Sequence, residues 1–419
     1  MALILKKYSL YQLLFCLCIS LPYLNNYELT FAIWTLTILL TLKRTYSKTI
    51  VTHVAFFFSI FVVAAISSFF WEHKNYNLFR DVTYLFKPII GLIVGYQLFK
   101  MNKEKAFKTI INSGAFISII HLIIVFITFL RFRTISVNLL REFCGYFSDY
   151  EIYVLIILLF HKQFQLDFSK QKIRMLIIIV GLSSFLYLAR TNMIQFVILF
   201  VGMKGYFTVT KKSVRIIGIV LLTTITTYSA IYVSNPKRNG RGIEAFLYKI
   251  KIAPIEPFKT KIDTDDWKDF NDNYRSFESI TTVKTMSNAG SSAIFFGKGL
   301  GSTIDLGRDV MSNDGEYVRY IAVVHNGFMT VFLKSGILGV LICLLSIIYL
   351  LKQNKSDINL VRNLNYLLIG TGVFLFISYW VFLGFYFKYD NKSVLIGFII
   401  ALKEFLQRQN NVDTKTISE

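Results

Sequence analysis

The sequence predicts an all-α polytopic membrane protein of about twelve transmembrane helices, and three observations predict it. Hydrophobic residues make up 54% of the 419-residue chain, with 40 phenylalanines, and the mean hydropathy is +0.52. The apolar residues fall in separate blocks of roughly 16 to 24, and a helix needs roughly 20 to cross hydrocarbon. A soluble helical core imitates one or two such blocks, not the whole series. The segments between the blocks alternate in charge, short and basic in one set and longer or nearly neutral in the other, as loops on two sides of a bilayer do.

The predicted spans are 9–24, 27–42, 51–71, 82–99, 109–130, 146–161, 174–189, 192–209, 215–234, 331–351, 364–385 and 392–407. Lys6 and Lys7 ahead of the first block resemble the start of a signal peptide. No small-residue cleavage pattern follows, so the block reads as a retained first span. The basic set holds Lys6 and Lys7; Lys43, Arg44 and Lys48; Lys100, Lys103, Lys105 and Lys108; Lys162, Lys170, Lys172 and Arg174; Lys204, Lys211, Lys212 and Arg215; and Lys352, Lys355 and Arg362. The positive-inside bias makes these segments, and both termini, cytoplasmic.

The opposite set is 72–81, 131–145, 190–191, 235–330 and 386–391. Residues 235–321 carry 13 basic against 12 acidic side chains, so the formal charge of +21 sits mostly in short inner loops. That charge marks orientation rather than a phosphate-binding stripe, and nucleic acid is not an expected partner. Arg131, Arg133 and Arg141 run against the bias, either because they serve a function or because a span boundary is misplaced. The chain therefore divides into a bundle of about nine helices over 1–234, an extracytoplasmic loop over 235–330, C-terminal spans over 331–407 and a cytoplasmic tail over 408–419. The loop keeps Trp267, Phe270, Tyr274, Phe277, Phe295 and Phe296 among its charges. Disordered tails are poor in aromatics, so a folded cap with helices over 243–253 and 272–290 is expected, a partly ordered linker being the alternative.

Cys16, Cys18, Cys144 and Cys343 have no metal-like spacing, and none lies in the large loop. No zinc-protease, Walker, dinucleotide, hydrolase-elbow or calcium-loop motif falls where its mechanism needs it. Asp263, Asp265, Asp266 and Asp269 are interleaved with Lys261 and Lys268 and read as solvated surface.

The informative segment is RYIAVVHNGFMTVFLKSGILG, residues 319–339. His325 is the only imidazole of the loop and precedes the tenth span, at the expected outer surface. There it can donate a hydrogen bond, move a proton or face a phosphate. Asn326 adds an amide, and Gly336 and Gly339 permit close helix approach. Arg190 lies in YLARTNM at the outer end of the seventh span, where it either snorkels to headgroups or faces a wet cavity. Arg80, Arg275 and Arg319 share the outer side. Guanidinium forks suit phosphate or pyrophosphate.

With these residues the chain resembles the bacterial O-antigen polymerase and O-antigen ligase superfamily over most of its length. The likeness rests on the late loop with few spans after it, the FFGKGLGS stretch Phe295–Ser302, His325 with Asn326 before Gly336–Gly339, and Arg190 after an apolar span. Ala189 stands where the family tends to have serine before that arginine. The resemblance implies a membrane fold similar to GT-C-type glycosyltransferases, in the bacterial cytoplasmic (inner) membrane. It implies polymerisation of undecaprenyl-pyrophosphate-linked oligosaccharides on the outer face. His325, Arg190 and Arg275 would be catalytic, with Arg190, Arg80 and Arg319 on the pyrophosphate. A chain-length regulator and a flippase of the same pathway would be partners, besides the lipid bilayer.

In that chemistry an acceptor hydroxyl attacks the anomeric carbon in one inverting displacement. The lipid pyrophosphate bond supplies the driving force, so no cofactor is expected. Arginines can neutralise the leaving charge without a metal. His325 acts as base or as a phosphate ligand, and Glu278 and Glu316 are other acids that could serve as base. A ligase with a lipid A–core acceptor, and a polysaccharide flippase, remain the alternatives.

Overall fold

Helices form where the apolar blocks lie, and polar caps set where several begin. In the computed structural model Asn26 accepts from the Leu29 amide at 2.8 Å, Ser47 from Ile50 at 3.3 Å, Thr210 from Ser213 at 3.1 Å and Asn326 from Met329 at 3.1 Å. Such caps satisfy amides that a helix start leaves open, each by about 1 kcal/mol. The structure describes residues 2–100, 103–133, 137–145, 148–208, 210–238, 243–254, 256, 259–311, 317–388 and 390–418.

The helices, in order, are α1 (Ala2–Ser20), α2 (Tyr27–Thr41), α3 (Lys48–Ser68), α4 (Asn75–Leu98), α5 (Lys103–Phe132), α6 (Val137–Cys144), α7 (Asp149–Leu159), α8 (Lys170–Leu186), α9 (Arg190–Met203) and α10 (Lys211–Ser234). The loop region then folds α11 (Glu244–Ile252), α12 (Trp267–Asp272), α13 (Tyr274–Asn288), α14 (Ser291–Phe296), β1 (Ile304–Met311) and β2 (Tyr317–Ile321). Helices α15 (Gly327–Leu351), α16 (Asn359–Val381) and α17 (Lys392–Ser418) close the chain. Among the described residues, five helices are long and apolar enough to cross a membrane: α3, α5, α10, α15 and α16. Residues 10–24, α2 and α9 form shorter apolar helices. The outward faces carry rows of exposed Leu, Ile and Phe, such as Ile123, Ile127, Ile178, Leu182, Leu222 and Ile225, which water would not tolerate as a continuous surface. The fold is thus largely helical, with several helices of membrane-crossing length.

Two expectations change in the details. The loop is not all helix: β1 and β2 pair antiparallel, with Ile304 opposite Ile321 and Met311 opposite Tyr317. Alternation in IDLG, with Ile304 and Leu306 buried between exposed partners, is what a half-buried strand requires. The predicted tail from 408 continues α17 without a break to Ser418.

Polar residues interrupt several apolar blocks, and packing explains them. Helix α4 buries Asp81 and Lys87 and lies against α17, where small residues let the backbones touch. A Cβ on Gly95 would fall 1.9 Å from the Val394 carbonyl oxygen, and one on Gly397 2.1 Å from that of Leu92. The cap has its own small core of Met286, Ala293, Ile304, Leu306 and Val324, which shares Leu333 with α15 and so ties the cap to the bundle. The expected cap helices over 243–253 and 272–290 correspond to α11 and α13.

Candidate functional site

Helix α13 begins at Tyr274, directly after Asn273, and puts Tyr274, Arg275 and Glu278 within one turn, on neighbouring faces. Glu278 is buried and takes the whole of His325. It accepts from the His325 backbone amide at 2.8 Å, and its two oxygens lie 3.0 and 2.9 Å from Nδ1. A carboxylate at Nδ1 fixes the ring and leaves Nε2 as the nitrogen that can meet a substrate proton. The imidazole is half-buried, with 40% of its side chain exposed against 2% for Glu278. Tyr274 stands edge-on to the ring at 5.8 Å between centroids. Burial, and then the Glu278 carboxylate, push the Tyr274 phenol well above its ordinary pKa, so it remains a neutral donor. Asn326, expected as a second polar group of the site, is spent on capping α15.

Arg275 reaches the other way. Its guanidinium lies 6.0 Å from the Phe382 ring, and its Nε is 3.7 Å from Glu256 Oε1. Glu256 Oε2 is in turn 3.7 Å from Arg190 Nη2. Arg190 is the first residue of α9 and follows a tight turn in which Leu188 takes a positive φ of 49°. Its Nη1 donates to the Lys249 carbonyl, so α9 is tied to α11. Ala189 at the helix start has no side chain to cap α9. Such a start favours a negative charge. The floor beneath is an apolar cluster of Tyr187, Ala189, Leu383 and Phe387 with Val323 and Phe382. The Gly327 amide ties α15 to the Phe382 carbonyl at 2.6 Å, and buried Lys87 holds the carbonyls of Phe387 and Lys388 at 3.2 and 2.5 Å. Two predicted residues, Arg190 and Arg275, therefore meet at Glu256, and α13 carries Arg275 one helical turn before the Glu278 that holds His325.

The other two predicted arginines lie elsewhere. Arg319 is forked onto Asp305 across the hairpin at 2.8 and 3.1 Å, on the exposed surface of the cap. The pair holds Asp305 below, and Arg319 above, its ordinary pKa, with their mutual hydrogen bond the largest cause for each. Arg80 sits beside its neighbour Asp81, Nε to Oδ1 at 3.7 Å. Asp81 belongs to a dry assembly: Lys334 Nζ lies 2.5 Å from its Oδ2, the Gly301 amide donates to that oxygen at 2.7 Å, and Lys334 also reaches the Ser302 carbonyl at 2.5 Å.

That assembly explains the glycines of the two motifs. Gly336 breaks α15 with φ 65° and ψ −164°, and the Lys298 and Gly299 amides satisfy the carbonyls of Leu333 and Lys334 at 2.9 and 3.0 Å. A Cβ at Gly336 would sit 2.3 Å from the Phe295 carbonyl oxygen, and one at Gly297 2.3 Å from that of Lys334. FFGKGLGS and GILG thus form one lock between cap and α15 rather than part of the histidine site. The acids at 263–269 serve local turns: Asp263 accepts from the Asp265 and Asp266 amides at 2.9 and 3.3 Å, Asp266 caps α12, and Asp269 pairs with Lys259. Glu316 and the side chain of Arg141 lie outside the described residues.

Sequence reasoning missed Glu256 and Tyr274 and had no ground for preferring Glu278. A usable signal existed for Glu278, which is one helical turn beyond Arg275 on a segment expected to be helical. Glu256, between Pro254 and Pro257, carries no periodic signal. Comparison with family models and with curated proteins returns no match to this chain.

Proposed function

We propose that the chain polymerises lipid-linked oligosaccharide repeat units, transferring a glycan from one undecaprenyl pyrophosphate to the terminal hydroxyl of another. The observation that carries the reading is that α13 carries both Glu278, on which His325 is seated, and Arg275, which shares Glu256 with Arg190. In this reading the described helices make a bundle of about twelve spans, similar in plan to GT-C-type enzymes, in the bacterial inner membrane. Both termini are cytoplasmic and the cap lies outside, as the positive-inside bias requires. The lipid tail stays in hydrocarbon, so its pyrophosphate lies at the depth of the bundle rim, within reach of the two arginines.

The chemistry follows from the residues. Glu278 holds the Nδ1 proton, so Nε2 takes the proton of the acceptor hydroxyl as its oxygen bonds to the anomeric carbon. The bond from that carbon to the pyrophosphate oxygen breaks, and the leaving group departs with the electron pair. Arg190 and Arg275 face the negative charge that develops there, in a half-enclosed site where such interactions weigh more than in water. One displacement inverts the anomeric centre. The test is polymerisation of purified lipid-linked repeat units by the full-length protein in vesicles without ATP. A ladder of products from wild type and none from H325A is expected. No ladder from well-folded wild type, or an equal ladder from H325A, would remove the reading.

A further inference from the structure

Glu256 bridges the two arginines of the site, yet it holds neither closely. Both contacts are 3.7 Å, longer than a hydrogen bond, and the arginine side chains keep 24% and 32% of their exposure. Arg319 shows what a committed arginine–carboxylate fork looks like in this molecule: two contacts of 2.8 and 3.1 Å to one partner. The main chain of Glu256 is held independently, because Ser276 Oγ donates to its carbonyl. The carboxylate can therefore swing away while the Glu256 main chain stays tied to α13.

We propose that Glu256 is a displaceable stand-in for the substrate's anionic group. It keeps Arg190 and Arg275 aimed at one point while the site is empty, and it leaves when a pyrophosphate takes that point. The inference rests on reading the site as pyrophosphate-handling and adds a residue that tunes affinity there. A pyrophosphate has more charge and more acceptor oxygens than a carboxylate, so it can reach both guanidinium groups at hydrogen-bond distance where Glu256 stands 3.7 Å from each. Glu256 is a positioning residue and an internal competitor, and removing a competitor strengthens binding. A structural acid would do the opposite, since its loss loosens the site.

The experiment measures binding of radiolabelled inorganic pyrophosphate to the full-length protein in phosphatidylcholine nanodiscs, with wild type, E256Q, E256A, R275A and R190A compared at matched melting temperature. E256Q and E256A should bind about 2- to 30-fold more tightly than wild type, the range expected from relieving two half-exposed ion pairs, and R275A more weakly. E256Q keeps the side chain's shape, so it decides the matter if E256A inserts poorly. In turnover, E256Q should lower KM without raising kcat. Undecaprenyl pyrophosphate doped into the discs should displace the probe, which identifies a lipid headgroup as the source of the anion; no displacement would assign the site to free pyrophosphate and overturn the lipid part. Equal or weaker binding by E256Q, with R275A still impaired, would overturn the stand-in and leave the arginine site intact. Binding by R275A and R190A at wild-type strength would instead remove the pyrophosphate reading beneath it.

Discussion

Two carboxylate–cation assemblies lie where cap and bundle residues come together, and they differ in several physical respects. Asp81 and Lys334 are each 1% exposed and lie 2.5 Å apart, the Gly301 amide donates to the same Asp81 oxygen, and Lys334 also reaches the Ser302 carbonyl. Arg190 and Arg275 are partly open and each stands 3.7 Å from the buried Glu256. A dry pair is bound to its partner, because exposing either charge alone in a low-dielectric interior costs far more than the pair gains. A half-exposed pair is held weakly and can exchange its partner. The first kind makes a rivet between cap and bundle; the second holds its arginines by longer, partly solvated contacts. Exposure and distance do not distinguish Arg80, beside the rivet, from Arg190, in the open group: each keeps 24% of its side-chain exposure and stands 3.7 Å from a carboxylate. The acid does, because Asp81 is already taken by Lys334.

The largest expected effect tests whether the open group does chemistry. H325Q can hydrogen-bond but cannot exchange a proton near neutral pH. If His325 is the base, H325Q and H325A should both lose about 10²- to 10⁴-fold in the chemical step, with protein level unchanged. Substantial turnover by H325Q in the vesicle assay would reduce His325 to a phosphate ligand. E278Q should fall between these and wild type, since it keeps an acceptor for Nδ1 but not the charge behind it.

The rivet should fail differently. K334M strands Asp81 and should destabilise the protein by about 3–5 kcal/mol, seen as lost membrane insertion or a lower melting temperature in detergent. The double variant D81L/K334M should recover part of that loss, because no unpaired charge then remains. A double variant no better than K334M would show that the Gly301 and Ser302 contacts, rather than the charge pair, hold the lock.

Smaller effects refine the open group. R190K should lose nearly as much activity as R190A, because a point charge does not replace a two-pronged donor. Full-length polymer from R190K on a gel would argue for a simple snorkelling cation. The smallest effect belongs to R319A. Its exposed fork with Asp305 lies on the hairpin, so polymerisation should stay within about twofold of wild type, as for most surface ion pairs. A loss as deep as that of R275A would place the hairpin in the site after all.

Much of the fold was legible because it follows from one-dimensional patterns. Each of the twelve predicted segments overlaps a helix, since apolar blocks of that length bury their backbone only as helices. Cap helices α11 and α13 were visible in their polar–aromatic spacing, and the hairpin was not, because its buried alternation covers only Ile304 to Leu306 before a glycine. His325, Arg190 and Arg275 could be singled out by residue type and by nearness to predicted span ends.

The sequence by itself determined the helical, membrane-suited character of the chain, its charge asymmetry and a short list of candidate cations. Only the tertiary structure decided which of those cations belong together. Arg190 and Arg275 are 85 positions apart, and the acid that joins them, Glu256, lies near neither the histidine nor the first arginine in the chain. Glu278 became His325's partner only because α13 packs beside the start of α15. Local patterns encode secondary structure, since each residue's backbone preference acts on its own neighbours. A charged site is set by distances across the fold and by how much water packing leaves between the groups, and neither is written in any single stretch of sequence.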